Sequence, residues 1–468
     1  MAEQGAEVER ERELKFDVPD DWELPDPAKL VPGGTIESRS VRLESEYFDT
    51  GDRALLRHRL TLRRRTGDTD TGWHLKVPAG DARTEIRLPL AGASRTVPAE
   101  FRAATLGVRA GAALKSLTTL TTEREILRLA DESGTPLVEI VVDSVTATPP
   151  PELSAPLRWR EVEVELTKGT EKFLARTAKW LTKRGAAPSR SGSKLARALG
   201  VDLTVARDPA TLSGLIGSYL DEQVEALVRG DIDLRRGENA IHATRVATRR
   251  YRSVLRVFGP VFDPDRAAAL NAELAAFGVA LGEVRDRQVL RKRLRRRIGE
   301  LPADLVAGPA ADRIDVLLAA EQDVAEAELA AMMRTRRYFA MLAELRAWRE
   351  QLPIEYDRPG DEVKYFLAKA ERTVRRRLKK AGDDDVRLHR ARKAAKRARY
   401  AAELSRPVTG SSGRKAEERN HEIQQRLGDH QDAVVAADFL RRAAEQAAIA
   451  GEDGFVLGVL YAQEVAAK

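Results

Sequence analysis

The chain has 468 residues, 43% of them hydrophobic and 33% charged, with no cysteine and a net charge of +7 at neutral pH. That length predicts two or three domains rather than one core, and the lack of thiols excludes disulfides and thiolate metal sites. Lysine and arginine number 32 against 31 acids in residues 1–200 and 48 against 42 in residues 201–468, a split of +1 and +6 that suits an anionic partner in the C-terminal part, with nucleic acid or a membrane surface left equally open by the basic balance alone.

The first elements alternate with the period of strands. Glu11, Glu13 and Lys15 share a face, as do Arg63 with Arg65, His74 with Lys76, and Arg83 with Glu85 and Arg87. Further on come Val141 with Asp143, then Glu161, Glu163 and Glu165 opposite Val162, Val164 and Leu166. A half-exposed antiparallel sheet gives such alternation with its polar face in water. Here acids gather on the Glu11 and Glu161 strands and bases on the Arg63 and Lys76 strands. A closed sheet with these faces inward encloses carboxylates opposite cations, a polar tunnel in place of an apolar core. Several carboxylates bind a hard divalent cation, and arginine and lysine hold phosphate oxygens, so a metal triphosphate would complete the charges. Thr146–Pro151 reads as a turn inside this domain, and Gly185–Ser193 as the connection from a helix to Lys194. Trp22, Trp159, Trp180 and Trp348 read as core, His58 as surface or barrel wall.

Glu11-x-Glu13-x-Lys15, Tyr47-Phe-Asp-Thr50, Leu62-Arg63-x-Arg65, Trp73-x-Leu-Lys76, Arg83-Thr-Glu85, Thr122-Glu-Arg124, Asp143, Glu161-x-Glu163-x-Glu165 and Ser193-Lys194 occur in that order. The set resembles the CYTH family over about residues 7–200, the class that joins triphosphate tunnel metalloenzymes with thiamine triphosphatases and class IV adenylyl cyclases. The resemblance implies an antiparallel β-barrel tunnel with helices in residues 1–204. Glu11, Glu13, Glu163 and Glu165, joined by Asp143 and Glu161, would lie near one or two Mg²⁺ or Mn²⁺ ions. Lys15, Arg63, Arg65, Lys76, Arg124 and Lys194 would hold phosphates, with Arg83 and Glu85 lining the tunnel. The implied reaction is phosphoanhydride hydrolysis with Lys15, Glu163 and Glu165 as catalytic residues; spacing does not say which glutamate is the base.

Val201–Pro209 reads as the domain boundary. From Thr211, Ala, Leu, Arg and Glu recur at helical spacing. His242-x-x-Arg245-x-x-x-Arg249-Arg250-x-Arg252 is repeated as His389-x-x-Arg392-Lys393-x-x-Lys396-Arg397-x-Arg399, 147 residues on, and Leu281-Gly-Glu-Val-Arg-Asp286 as Leu427-Gly-Asp-His-Gln-Asp432, 146 residues on. This is a duplicated unit. With His242 at zero, Arg245, Arg249, Arg252 and Arg256 fall at about 300°, 340°, 280° and 320°, one stripe without an acid. In the second copy Glu403 takes the place of Arg256. Like charges at helical spacing repel, which favours an anion site over a merely solvated face. Arg250 and Arg397 fall near 80° and are expected to pair with Asp286 and Asp432. The runs Arg291–Arg297 and Arg375–Lys380 read equally as groove extensions or solvated surface. Leu352–Gly360 divides the copies, and Ser405–Gly413 reads as a flexible loop.

These motifs resemble the CHAD family, the conserved histidine α-helical domain, over about residues 208–468. That implies an all-α domain of two pseudo-symmetric helical bundles, with repeats at about 208–352 and 360–468, after the N-terminal barrel; the fold class is α+β. It also implies a basic groove holding inorganic polyphosphate through His242, Arg245, Arg249, Arg252 and Arg256 and through His389, Arg392, Lys393, Lys396 and Arg399. Aromatic residues, only 5%, do not interleave with the stripes, which argues against nucleic acid. No apolar run reaches the length of a membrane span, and the N-terminus has no basic and apolar leader, so a cytoplasmic protein without a membrane partner is expected, associated with polyphosphate granules in one reading. Three functions follow: a triphosphatase joined to a polyphosphate-binding module, a non-catalytic polyphosphate receptor, and an adenylyl cyclase or thiamine triphosphatase of the tunnel class.

Overall fold

The computed structural model describes residues 6–466 apart from 81, 91, 93, 149–155, 204, 303–304, 307–308 and 383. They form two compact units, Met1–Val205 and Ala206–Lys468.

The first unit contains strands β1 (Glu7–Glu11), β2 (Glu13–Val18), β3 (Thr35–Asp49), β4 (Thr61–Thr66), β5 (Gly72–Ala79), β6 (Ala82–Leu88), β7 (Lys115–Ala130), β8 (Pro136–Ala147), β9 (Leu157–Leu166) and β10 (Ala187–Pro188). Its helices are α1 (Ala54–Arg57), α2 (Ala99–Ala104), α3 (Glu171–Thr182) and α4 (Lys194–Ala198). The strand order is β1-β6-β5-β4-β3-β7-β8-β9-β2-β10. β1 and β2 are two halves of one segment separated only by Arg12. One half pairs with β6 and the other with β9, so the two ends of the sheet meet and the barrel closes. Of the expected turn at 146–151, residues 149–151 lie outside the described residues, and Thr146 and Ala147 belong to β8.

Period-two alternation then sorts the side chains. Phe16, Leu129, Ile140, Val162 and Val164 face outward and pack with Leu174, Trp180 and Leu181 of α3; burying each such residue contributes about 1.5–3 kcal/mol. Their neighbours Glu161 and Glu163 consequently point inward and are also buried. A second cluster, including Tyr47, Leu56, Val145, Trp159 and Leu195, seats α1 and α4 against the barrel. It delivers Lys194, the first residue of α4, whose N-cap Ser193 accepts from Ala196 N. His58 is buried at the C-terminal end of α1 rather than on the surface.

The second unit contains helices α5 (Leu212–Arg235), α6 (Ile241–Val257), α7 (Pro264–Gly299), α8 (Ala310–Met332), α9 (Arg336–Glu350), α10 (Val363–Lys379), α11 (Asp385–Thr409), α12 (Ser411–Ile449) and α13 (Phe455–Ala466). The duplicated motifs occupy the pairs α6–α7 and α11–α12, and α6 packs against α11. Tyr251, Trp348 and Phe262 stack in the first half, while Leu290, Leu294, Leu318, Phe439 and Leu440 join α7 and α8 to α12. The loop expected at 405–413 is mostly helix: α11 continues through Pro407 to Thr409, Gly410 takes a positive φ of 54°, and α12 begins at Ser411. Ser405 is fully buried and donates to the carbonyl of Ala401 at 2.6 Å, so the polar sequence marks a tight helix corner. The expectation of no span-length apolar segment also needs correction. α7 has a window of mean hydropathy 1.3 and passes by length and composition, with Leu270, Leu274, Phe277 and Leu281 buried in the bundle.

Candidate functional site

The barrel interior pairs charges across neighbouring strands. Lys194 Nζ lies 2.9 Å from Asp143, 2.6 Å from Glu161 and 2.7 Å from Glu163. Arg124 grips Asp143 with two hydrogen bonds of 2.8 and 2.7 Å and reaches Glu163 at 3.2 Å. Lys15 lies 2.5 Å from Glu163 and 3.3 Å from Glu13. Trp159 Nε1 donates to Glu161 at 2.6 Å, orienting that carboxylate. On the other side, Lys76 lies 2.5 Å from Glu11 and 3.5 Å from Glu85. Glu85 also takes Arg63 at 3.3 Å, Arg87 at 2.6 Å and His74 Nδ1 at 3.1 Å.

Burial alone would raise every one of these carboxylates, and the neighbouring cations decide the outcome. Lys15, Lys194 and Arg124 hold Glu163 well below the ordinary range. Arg124 and Lys194 lower Asp143. The same acids raise Lys194, Lys76 and Arg124. Two are raised instead: Glu11, by burial and Glu85 against the pull of Lys76, and Glu165. Glu165 has no ion pair among the described residues, stands opposite Glu13 in the strand register, and is pushed up to about 8 by burial and by Glu11, Glu13 and Glu163, against the pull of Lys76. Like charges at opposed positions of neighbouring strands are destabilising, so Glu13 and Glu165 fit a site that expects a cation. Arg63 adds a buried Nε donor without an acceptor among the described residues, which fits an anion.

In the second unit, α6, α7, α11 and α12 enclose a groove of about 790 Å³. Its wall carries the cations Arg245, Arg249, Arg252 and Arg256 from α6, Arg285 and Arg293 from α7, and Arg392, Lys393, Lys396 and Arg397 from α11. Only Glu283, Asp286 and Asp432 oppose them. Of the two Leu-Gly motifs, the second explains close packing. A Cβ on Gly428 would meet the Arg392 guanidinium at 2.9 Å, too close without a shift, whereas one on Gly282 would make only ordinary contact with that of Arg245 at 3.5 Å. Burial and neighbouring cations lower His242 and His389 below their ordinary value. His389 Nδ1 lies 3.2 Å from Gln431 Oε1.

A CYTH domain model matches residues 9–199 and a CHAD domain model residues 218–441. Across 97% of its length the chain is 36% identical to uncharacterized proteins from two strains of Mycobacterium tuberculosis, spanning 92% of theirs. The chain belongs to the family that joins a CYTH domain to a CHAD domain. Solved structures similar to it include PptA from Streptomyces chartreusis, at 22% identity over 54% of this chain and 94% of that one with a TM-score of 0.47. Another is the CHAD domain of the plant Ricinus communis, at 26% identity over 56% and 88% with a TM-score of 0.43.

Within the CYTH unit the six expected metal ligands divide. Asp143, Glu161 and Glu163 bring one oxygen each within 4.8 Å of one another, and Lys194 already sits among them. Glu11, Glu13 and Glu165 fall outside that group, at the less neutralised side of the tunnel. Of the expected phosphate ligands, Lys15, Lys76, Arg124 and Lys194 hold tunnel carboxylates, Arg63 holds Glu85, and Arg83 donates to the Gly192 carbonyl. Arg65 is held at 2.6 Å by Asp70, a turn residue that strand alternation does not single out.

The CHAD groove gathers His242, Arg245, Arg249, Arg252, Arg256, His389, Arg392, Lys393 and Lys396. Arg399 is a correction. It turns towards Glu417, 4.0 Å away on α12, and over the Tyr400 ring, while Arg397 lines the groove instead. The expected aspartate pairs are corrected as well. Asp286 lies 3.3 Å from Arg245, and Asp432 is steadied by Arg392 and Arg293 against the raising effect of burial. Arg250 is held by Glu403 at 2.7 Å. A three-residue step from histidine to arginine faces the neighbouring helix, whereas Arg250 faces the seam between the two repeats.

Proposed function

We propose that this protein is a metal-dependent triphosphatase whose CYTH tunnel hydrolyses inorganic triphosphate and whose CHAD groove binds inorganic polyphosphate. The observation that carries the reading is the interleaving of carboxylates and cations inside one closed barrel, with Glu165 forming no ion pair among the described residues. Glu11, Glu13 and Glu165, together with Asp143, Glu161 and Glu163, supply the hard oxygen donors that Mg²⁺ or Mn²⁺ takes. The bound ion would neutralise charge on the phosphates and lower the barrier to attack by water. Arg63, Arg65, Arg124, Lys15, Lys76 and Lys194 exchange carboxylate partners for phosphate oxygens, so the tunnel stays charge-balanced when loaded. Glu163 or Glu165 takes the proton of the attacking water. Glu163 is the more ionised of the two, and Glu165 gains that state once a cation stands beside it.

For the groove, the support is ten cations against three acids on one wall. A linear polyanion relieves their mutual repulsion, and retention at polyphosphate granules would follow. The deciding experiment is phosphate release from inorganic triphosphate, ATP, thiamine triphosphate and long-chain polyphosphate, with Mg²⁺, Mn²⁺ or chelator, in the natural chain and in Glu163→Gln. Metal-dependent release from triphosphate that the substitution removes is expected. Cyclic AMP from ATP, or preference for thiamine triphosphate, would replace the substrate; no release at all, with polyphosphate still bound, would make the chain a receptor.

A further inference from the structure

α11 carries cations on two faces, and the groove draws on one of them and on Arg397 alone from the other. With His389 at zero, Arg392 and Lys396 fall at about 300° and 340°, whereas Arg387, Arg390 and Arg397 fall at about 160°, 100° and 80°. The second face meets the end of α10. Val374 of α10 packs with Ala394, Ala395 and Ala398 of α11, and these small side chains bring the two helices together. The cations at their joined ends enclose a cavity of about 560 Å³ lined by Arg376, Arg377, Lys380, Arg387 and Arg390, with no acid among the described residues of that lining.

The neighbours leave this charge largely unbalanced. Asp384, the N-cap of α11, lies 3.5 Å from Arg387. Arg377 donates to the carbonyl of Arg390 at 2.9 Å and Arg387 to that of Lys380 at 3.3 Å. Arg376, Lys380 and Arg390 are exposed and form no ion pair among the described residues. Arg397 lines the main groove; burial and then the charge of Arg377 push it down to about 10, so the two guanidinium groups are electrostatic neighbours. At the motif offset of 147, the first copy has Ala240 and Ala243 in place of Arg387 and Arg390. The feature therefore belongs to the second copy and does not arise from the duplication itself.

We propose that this cavity is a second phosphate-binding subsite, joined to the groove through Arg397 and Arg377, that holds the emerging end of a polyphosphate chain longer than the groove. The inference rests on the reading of the groove as a polyphosphate site. A continuing chain of phosphates fits because Arg390 in the cavity lining and Arg397 in the groove lining lie two turns apart on one face of α11, and no aromatic side chain among the described residues lines the cavity to stack a base.

The test uses the full-length chain with Arg376, Lys380 and Arg390 all changed to alanine, folding being checked by thermal melting. Arg376→Gln with Lys380→Gln is the milder alternative. Affinity for polyphosphate of graded length is measured at several salt concentrations. Long chains should bind about 10-fold more weakly, with the salt slope shallower by about 2, while the shortest chain that saturates the groove keeps its affinity within about twofold. Equal affinity of variant and natural chain at every length overturns the subsite. An equal loss at every length overturns it too, because the removed charges would then act only through their field. Single-stranded RNA that loses affinity in the same length-dependent way, where polyphosphate does not, overturns the ligand. If Arg245→Glu with Arg392→Glu leaves even short chains unaffected, the groove reading fails instead, a result distinguishable from all of these.

Discussion

The tunnel and the groove both gather arginine and lysine, yet their electrostatics run in opposite directions. In the tunnel, Lys76, Lys194 and Arg124 are raised because carboxylates surround them, and only Arg65 among the shifted phosphate ligands goes the other way, brought to about 10 by burial, Arg63 and Arg124. In the groove, burial and like-charged neighbours lower Arg245 and Arg252, bring Arg397 to about 10 and bring Lys396 to about 7. A site that takes metal and phosphate together can hold both signs of charge in advance. A site that takes only a polyanion must store repulsion until the ligand arrives. The same residue types thus differ in whether they arrive already paired.

The largest effect that would break this contrast lies in the tunnel. Glu163→Gln should lower triphosphate hydrolysis by about 10²–10³-fold and leave polyphosphate retention unchanged; parallel loss of both would remove the division of labour. Next, Arg245→Glu with Arg392→Glu should weaken polyphosphate binding by about 10²-fold and flatten its salt dependence, with hydrolysis intact. Equilibrium binding at several salt concentrations reads this directly.

Smaller effects follow from proton linkage. Lys396 faces Arg392, Arg249 and Arg245, with Asp432 as the opposing charge. Its folded value of about 7 is below its ordinary 10.5, so the unfolded chain holds more protons between those pH values and ligand-free stability rises with pH across them. A bound polyanion favours the charged lysine. Affinity should therefore fall about 5-fold from pH 6 to pH 8, and Lys396→Arg should remove most of that fall. Glu165 behaves in the opposite sense. Its folded value of about 8 exceeds the ordinary 4.5, so the folded state holds the extra proton and metal-free stability falls as pH rises through that window. Glu165→Gln should abolish about 1 kcal/mol of that dependence per pH unit inside the window, read as a Tm change of a few degrees. A variant that melts with the same pH profile as the natural chain would contradict the assignment of Glu165 as the unpaired acid.

Much of this is legible in the sequence because period two and period 3.6 each tie spacing to direction. Glu161, Glu163 and Glu165 have to share a face, and the chain from Glu11 to Lys15 has to present its acids with them. The family signature orients that face inward. What spacing does not supply is which neighbour covers the edge of a helix. Arg252 and Arg399 occupy equivalent angles, but Arg252 reaches Asn271 on α7 at 3.4 Å and stays in the groove, whereas Arg399 meets Glu417 on α12. Asp70 escapes a reading by spacing because a turn residue has no alternation to betray it. Glu403 and Tyr400, where the second copy departs from the first, are visible in the sequence as differences only. In the folded chain Glu403 takes Arg250 at 2.7 Å and Tyr400 accepts from Arg249 at 3.0 Å, so the repeats are bonded to each other by the positions at which they diverged.

The most direct test compares the two sites in the hydrolysis-deficient Glu163→Gln protein, measuring triphosphate and long-chain polyphosphate binding with divalent metal and with chelator. The account predicts that triphosphate binds appreciably only with metal, whereas polyphosphate binds equally well without it. Tight metal-independent triphosphate binding, or polyphosphate binding that chelator abolishes, would contradict the separation of a charge-paired tunnel from a cation-only groove.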